Sequence, residues 1–169
     1  MLPARSRSLF SLAFIVACLI LGAAMYLEYQ VGLYPCSLYV LQRFFVIAFG
    51  LVCLAAAVHG PGIRGLRGYA AASLLMAIGG GLAATRQLWL QSRVAADPGC
   101  LSDLPCDWPT PPIAHFFQSL FLGTAECSRV NWSLLDMTWP EWSLLTFVAM
   151  GVFALLQLFQ RSRPRAVAS

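Results

Sequence analysis

Six cysteines and a few arginines set inside apolar runs are the residues of this chain that could do chemistry. Cys36 stands in Pro35-Cys36-Ser37-Leu38-Tyr39, where a short polar linker meets the apolar run Leu38 to Val58. Arg43 is the one charge in that run, within its first two turns. A sulfur at such a boundary meets water on one side and lipid on the other. Redox chemistry that joins a soluble thiol to a lipid-dissolved electron carrier needs such a place. Pro35 lacks a backbone donor and suits the approach to a helix start, where that donor would have no partner. Taken alone, a cysteine at such a boundary is more often a small apolar filler than a nucleophile, and packing is the reading for Cys18 in the middle of the first run; Cys53 lies deep inside the second. Cys100, Cys106 and Cys127 share one long polar stretch. No paired CxxC or His/Cys spacing of a zinc site occurs, so no metal is assigned.

The elements that must position these residues are membrane spans. Only 11% of the residues are charged, against about 25% in a soluble domain, and the mean hydropathy is +0.72. The apolar residues form four blocks, which predict spans over about 9–27, 38–58, 68–90 and 142–159 in a single membrane domain, 1–169. Each is long enough to cross a hydrocarbon core of ~30 Å. The first follows Arg5 and Arg7 and so also resembles a signal peptide, but it outruns an h-region and lacks a cleavage site after it. His59 to Arg67 reads as a Gly/Pro turn, and Gly79-Gly80-Gly81 as a site of close helix approach.

The net charge of +4 comes from 11 arginines without a lysine. No basic stripe or stacking cluster supports nucleic-acid binding. In a four-span arrangement Arg5, Arg7, Arg64, Arg67, Arg161, Arg163 and Arg165 flank one side, and all seven acids flank the other. The positive-inside rule then makes both termini cytoplasmic. Cys36, Cys100, Cys106 and Cys127 face the outer compartment, where disulfides persist. The long outer loop, 91–141, carries Ile113, Phe116, Phe117, Leu120 and Phe121 at helical spacing. That stripe predicts a short amphipathic helix lying in the interface against membrane lipid. His115 falls off the stripe and reads as a solvated residue. Trp132, Trp139 and Trp142 read as an interfacial belt.

Arg43 lies five residues into a descending span, and Arg86 roughly five from the end of an ascending one. At 1.5 Å per residue both sit about 7 Å below the outer boundary. An ionisable group at that depth points to function. Two guanidinium groups there could hydrogen-bond a quinone carbonyl and stabilise charge on its oxygen. Snorkelling to the headgroups is the alternative, for Arg86 above all.

Over nearly its whole length the chain resembles the DsbB family of bacterial inner-membrane disulfide-bond formation proteins. The resemblance rests on Tyr34-Pro-Cys-Ser-Leu with Gln42-Arg43, on Arg86-Gln-Leu-Trp-Leu-Gln91, on Phe121-Leu-Gly-Thr-Ala-Glu-Cys127 and on Pro140-Glu-Trp-Ser-Leu-Leu145. It implies an all-α membrane protein, a four-transmembrane-helix bundle that oxidises the periplasmic thiol oxidase DsbA. Electrons then pass to a bound quinone, ubiquinone or menaquinone. It also implies roles: Cys36 as the first cysteine of the family's CxxC, Cys100 and Cys127 as the outer-loop pair, and Arg43 as the quinone-associated arginine. In the relay it implies, DsbA's thiolate attacks the Cys100–Cys127 disulfide, which the CxxC disulfide then restores. The second CxxC cysteine, which faces the quinone, is replaced here by Tyr39. A phenol donates a hydrogen bond but forms neither a disulfide nor a thiolate adduct. The sequence therefore predicts a thiol:quinone oxidoreductase lacking the sulfur of its last step. A non-catalytic relative that binds a DsbA-like partner or quinone without turnover is the alternative, and a structural membrane protein with a stapled loop is a third.

Overall fold

The structure, a computed structural model, describes residues 2–31, 36–96, 133–134 and 137–159. Four helices carry the fold: α1 (Leu2–Val31), α2 (Ser37–His59), α3 (Ile63–Ala96) and α4 (Trp139–Phe159). All four contain stretches long and apolar enough to cross a membrane: Ser6–Gln30, Ser37–His59, Arg64–Ser92 and Pro140–Phe159. The expected all-α bundle is what forms. Its helices overrun the predicted spans, because hydropathy marks the hydrocarbon layer while the backbone stays best satisfied by continuing the helix beyond it. The turn expected over His59 to Arg67 is accordingly shorter, and Arg64 and Arg67 already belong to α3. Before α4, strands β1 (Ser133–Leu134) and β2 (Met137–Thr138) pair antiparallel, Ser133 opposite Thr138 and Leu134 opposite Met137. The stripe at 113–121, His115 and Trp132 lie outside the described residues.

Successive helices are antiparallel neighbours, α1 on α2, α2 on α3 and α3 on α4. Phe10, Phe49 and Phe153 join α1, α2 and α4 edge to face, with centroids 5.6 Å apart for Phe10–Phe153 and 6.4 Å for Phe49–Phe153. The glycine run of α3 does what its composition predicts. A Cβ on Gly79 would lie 2.5 Å from the Phe45 ring, and one on Gly80 would run into the Phe147 ring. Only bare backbone lets α2 and α4 come so close to α3.

The helix ends are fixed by specific groups. Gly60 ends α2 with φ 54°, and its N–H donates to the Ala56 carbonyl at 3.2 Å, the left-handed cap that glycine adopts without strain. Arg7 Nε donates to the Ala57 carbonyl at 2.9 Å, placing a cation at the negative end of α2. At the other side of the bundle the Thr138 N–H and hydroxyl both donate to Glu141 Oε2. This is one half of a capping box at the start of α4, and it gives the Pro140-Glu-Trp segment a structural purpose.

Candidate functional site

The site is built at the outer end of α2. Cys36 is the residue before its first turn, with φ −73° and ψ 160°, and its carbonyl accepts from the Val40 N–H at 3.1 Å. A helix start gathers partial positive charge, which stabilises a thiolate placed there. Cys36 packs against buried Leu38 and Leu90. It is disulfide-bonded, whereas Cys18 and Cys53 are free. Cys53 is wholly buried in the core beside Ser73 Oγ, 3.9 Å away. Cys18, for which packing was the expected role, is exposed on α1 rather than set in the core.

Tyr39 and Arg43 follow Cys36 at i+3 and i+7, so one helical face carries all three. Arg43 forms an ion pair with Glu28 near the outer end of α1. The side chains are 19% and 23% exposed, so the pair is largely withdrawn from water. A second arginine N–H donates to the Tyr39 hydroxyl at 3.2 Å, and the guanidinium lies over the Tyr39 ring, 4.5 Å from its centroid. Arg43 Nε is buried and has no partner among the described residues. Its sequence neighbour Gln42, 2% exposed, donates from Nε2 to Gln87 Oε1 on α3 at 2.8 Å, while Gln42 Oε1 has no partner among the described residues.

These groups border a cavity of about 250 Å³ between α1, α2 and α4, walled by Leu21, Ala24, Leu27, Val46 and Phe147 as well as Tyr39, Gln42 and Arg43. Its lining is apolar apart from these three and Ser143 and Thr146 of α4. A second apolar cavity, about 440 Å³, shares Ile20, Trp142 and Thr146 with it and continues along α1 and α4 past Val16 and Met150. An elongated apolar molecule with a hydrogen-bonding head fits that pair of spaces, and two of the lining residues, Gln42 and Arg43, each keep a buried polar atom without a partner among the described residues.

The structure does not bring Arg86 to this cavity. Arg86 stacks over Trp89, 4.4 Å from the ring centroid, and Trp89 is 44% exposed. Helical rotation is the reason: Arg86 and Gln87 are about 100° apart on α3, and Gln87 takes the inward direction. Cys100, Cys106 and Cys127 lie outside the described residues. Sequence reasoning missed Glu28, Gln87 and Trp142 as parts of the site. A polar amide inside an apolar run was the available signal for Gln87. Glu28 carried none, because the helix continues three residues past it where a connection was expected.

Comparison with known proteins identifies the family of the chain. The family described as Disulfide bond formation protein DsbB matches residues 6–157. The chain is 46% identical to Disulfide bond formation protein B of Stutzerimonas stutzeri over 160 residues, covering 94% of this chain and 98% of that protein. It is 45% identical to Disulfide bond formation protein B 1 of Pseudomonas aeruginosa over 161 residues, with the same coverage. With the protein of that name from Methylococcus capsulatus the identity is 35% over 159 residues, 94% of this chain and 97% of the relative. No solved structure matches the chain. Four membrane-spanning helices and matches across almost every residue leave one placement: this is a multi-pass membrane protein of the DsbB family of disulfide bond formation proteins.

Proposed function

We propose that the chain is a thiol:quinone oxidoreductase of the bacterial inner membrane that reoxidises a DsbA-like periplasmic thiol oxidase, with electron delivery to the quinone limited at Tyr39. The observation that carries this reading is the apolar cavity below the start of α2, with an unpaired donor on Arg43 and an unpaired acceptor on Gln42 at its border. A bound ubiquinone or menaquinone supplies a two-electron, two-proton acceptor. Arg43 would hold its head through the Nε–H, in an orientation fixed by Glu28 and by the Tyr39 ring. The second cavity would take an apolar tail. Arg86, turned toward Trp89, would anchor α3 at the interface instead.

In the proposed relay both termini are cytoplasmic and the cysteine-bearing loops periplasmic. A thiolate of the reduced partner attacks a disulfide between Cys100 and Cys127, giving a mixed disulfide and one loop thiolate; the partner's second thiolate then attacks the mixed disulfide, so the partner leaves oxidised and Cys100 and Cys127 are left as thiols. Cys36 takes part in the next exchange as one sulfur of the disulfide that a loop thiolate attacks, and it departs as a thiolate that the helix start stabilises. That Cys36 is already disulfide-bonded outside its motif supports this ability. The relay then meets Tyr39, whose phenol packs the cavity wall but carries no sulfur to pass the electron pair on. The same residue favours the second reading, a DsbB relative that binds partner or quinone without turnover.

The test uses purified protein, a reduced DsbA-like dithiol and decylubiquinone. Disulfide exchange should proceed and quinone reduction should stall, and Tyr39→Cys should raise quinone-linked oxidation sharply. Robust quinone reduction by the unmodified chain, lost in Cys106→Ser and unchanged by Tyr39→Cys, would show the stalled relay to be wrong.

A further inference from the structure

Gln42 and Gln87 form a buried side-chain pair beside the cavity, and the function proposed above counts the Gln42 acceptor but gives the pair itself no task. Both are nearly inaccessible, at 2% and 6% exposure. Their single shared bond runs from Gln42 Nε2 to Gln87 Oε1, and Gln42, which lines the cavity, keeps an acceptor without a partner. A buried acceptor left unpaired is costly. Arg43, the next residue and also in the cavity lining, keeps Nε as a buried donor without a partner among the described residues. One group that accepts from Arg43 while donating to Gln42 would satisfy both, and a hydroxyl does so. A carbonyl does not, since it has nothing to donate.

An amide offers a second arrangement of nearly the same shape. If both amides turn over, Gln87 Nε2 donates to Gln42 Oε1, the bond between them survives, and Gln42 faces the cavity with its N–H₂. In that arrangement a carbonyl head group accepts from Arg43 and Gln42 together. We infer that the Gln42–Gln87 pair is a hydrogen-bond selector for the ligand of this cavity, presenting an acceptor to the hydroxyl of a quinol and, with both amides turned, a donor to the carbonyl of a quinone. The inference rests on the proposed quinone site and adds how that site holds both oxidation states. Gln42 is a ligand-contacting residue in this scheme, and Gln87 is the positioning residue that makes the two arrangements equivalent.

The experiment measures affinities of the purified protein for decylubiquinone and, anaerobically, decylubiquinol. The unmodified chain should bind the two within about threefold, because either amide arrangement keeps the glutamine bond. Gln42→Met, which can neither donate nor accept strongly, should weaken both by about tenfold. Gln42→Glu, a near isostere beside the Arg43 cation, keeps only acceptors; it should retain the quinol and lose about tenfold for the quinone. A structural role would lower both affinities together, so an unchanged ratio in Gln42→Glu overturns the selector, as does unaltered binding in Gln42→Met. If Gln42→Met does not fold, Gln42→Glu and a variant-free measurement decide. Infrared difference spectra of the unmodified protein, quinone-bound minus quinol-bound, should contain a shifted glutamine amide band that Gln42→Glu lacks, and a spectrum without it overturns the selector. Failure of the unmodified chain to bind either probe overturns the site itself, and the selector with it.

Discussion

Replacing Arg43 by alanine should have two effects that a second substitution separates. The guanidinium holds Glu28 in an ion pair whose side chains are only 19% and 23% exposed. Removing one partner of a fully buried pair costs about 3–5 kcal/mol, because the remaining charge is stranded. With about a fifth of each side chain still in water, the loss should be about 1–3 kcal/mol. Glu28→Gln in the same chain removes the stranded carboxylate and should return most of that stability. Ligand binding should behave differently. A hydrogen bond from a charged donor is worth about 1.5–3 kcal/mol, so Arg43→Ala should weaken decylubiquinone binding roughly 10- to 150-fold. Glu28→Gln cannot restore it, since no donor returns. Thermal unfolding in detergent reports the first effect and quinone titration the second. Recovery of both in the double variant, or unchanged quinone affinity in Arg43→Ala, would refute the assignment of Arg43 to the ligand.

Other expectations follow from the packing. Gly79→Ala and Gly80→Ala should each destabilise the bundle by about 1–3 kcal/mol, since their new methyl groups meet the Phe45 and Phe147 rings. Gly81→Ala places its methyl 3.7 Å from Phe147 Cβ, an ordinary contact, and should be neutral or stabilising by up to about 1 kcal/mol; thermal unfolding of the three variants checks the order. Glu141→Ala removes the carboxylate that caps α4 and should cost about 1 kcal/mol, read in the same assay. For the outer stripe, Phe117→Asp should loosen the loop's membrane contact without unfolding the bundle, and a depth quencher finding Phe117 of the unmodified chain in bulk water would rule the interfacial helix out.

The four spans were legible because hydropathy depends on composition, and composition needs no partner to be read. Arg43 was legible for a related reason: a lone charge in an apolar run has to be explained by something outside the run. What surrounds it was less accessible. Glu28 is 15 residues away along the chain and comes beside Arg43 only because α1 continues past the hydrophobic limit and α2 returns against it. Arg86 and Gln87 show the same gap on one helix. Both are polar, adjacent and at the predicted depth, so sequence favours the charged one as the site residue. Rotation separates the two, turning Arg86 onto Trp89 and Gln87 onto Gln42. Tyr39 stands between these cases. The family resemblance leads one to expect a cysteine at its position, but only the structure shows what the tyrosine does there: an aromatic ring under the Arg43 guanidinium and a hydroxyl accepting one of its protons. Those contacts give Tyr39 a hold on the cation that binds the proposed ligand. Tyr39→Cys would therefore restore a sulfur and release Arg43 in one step, and its quinone affinity has to be measured beside its rate before either change is credited to the sulfur.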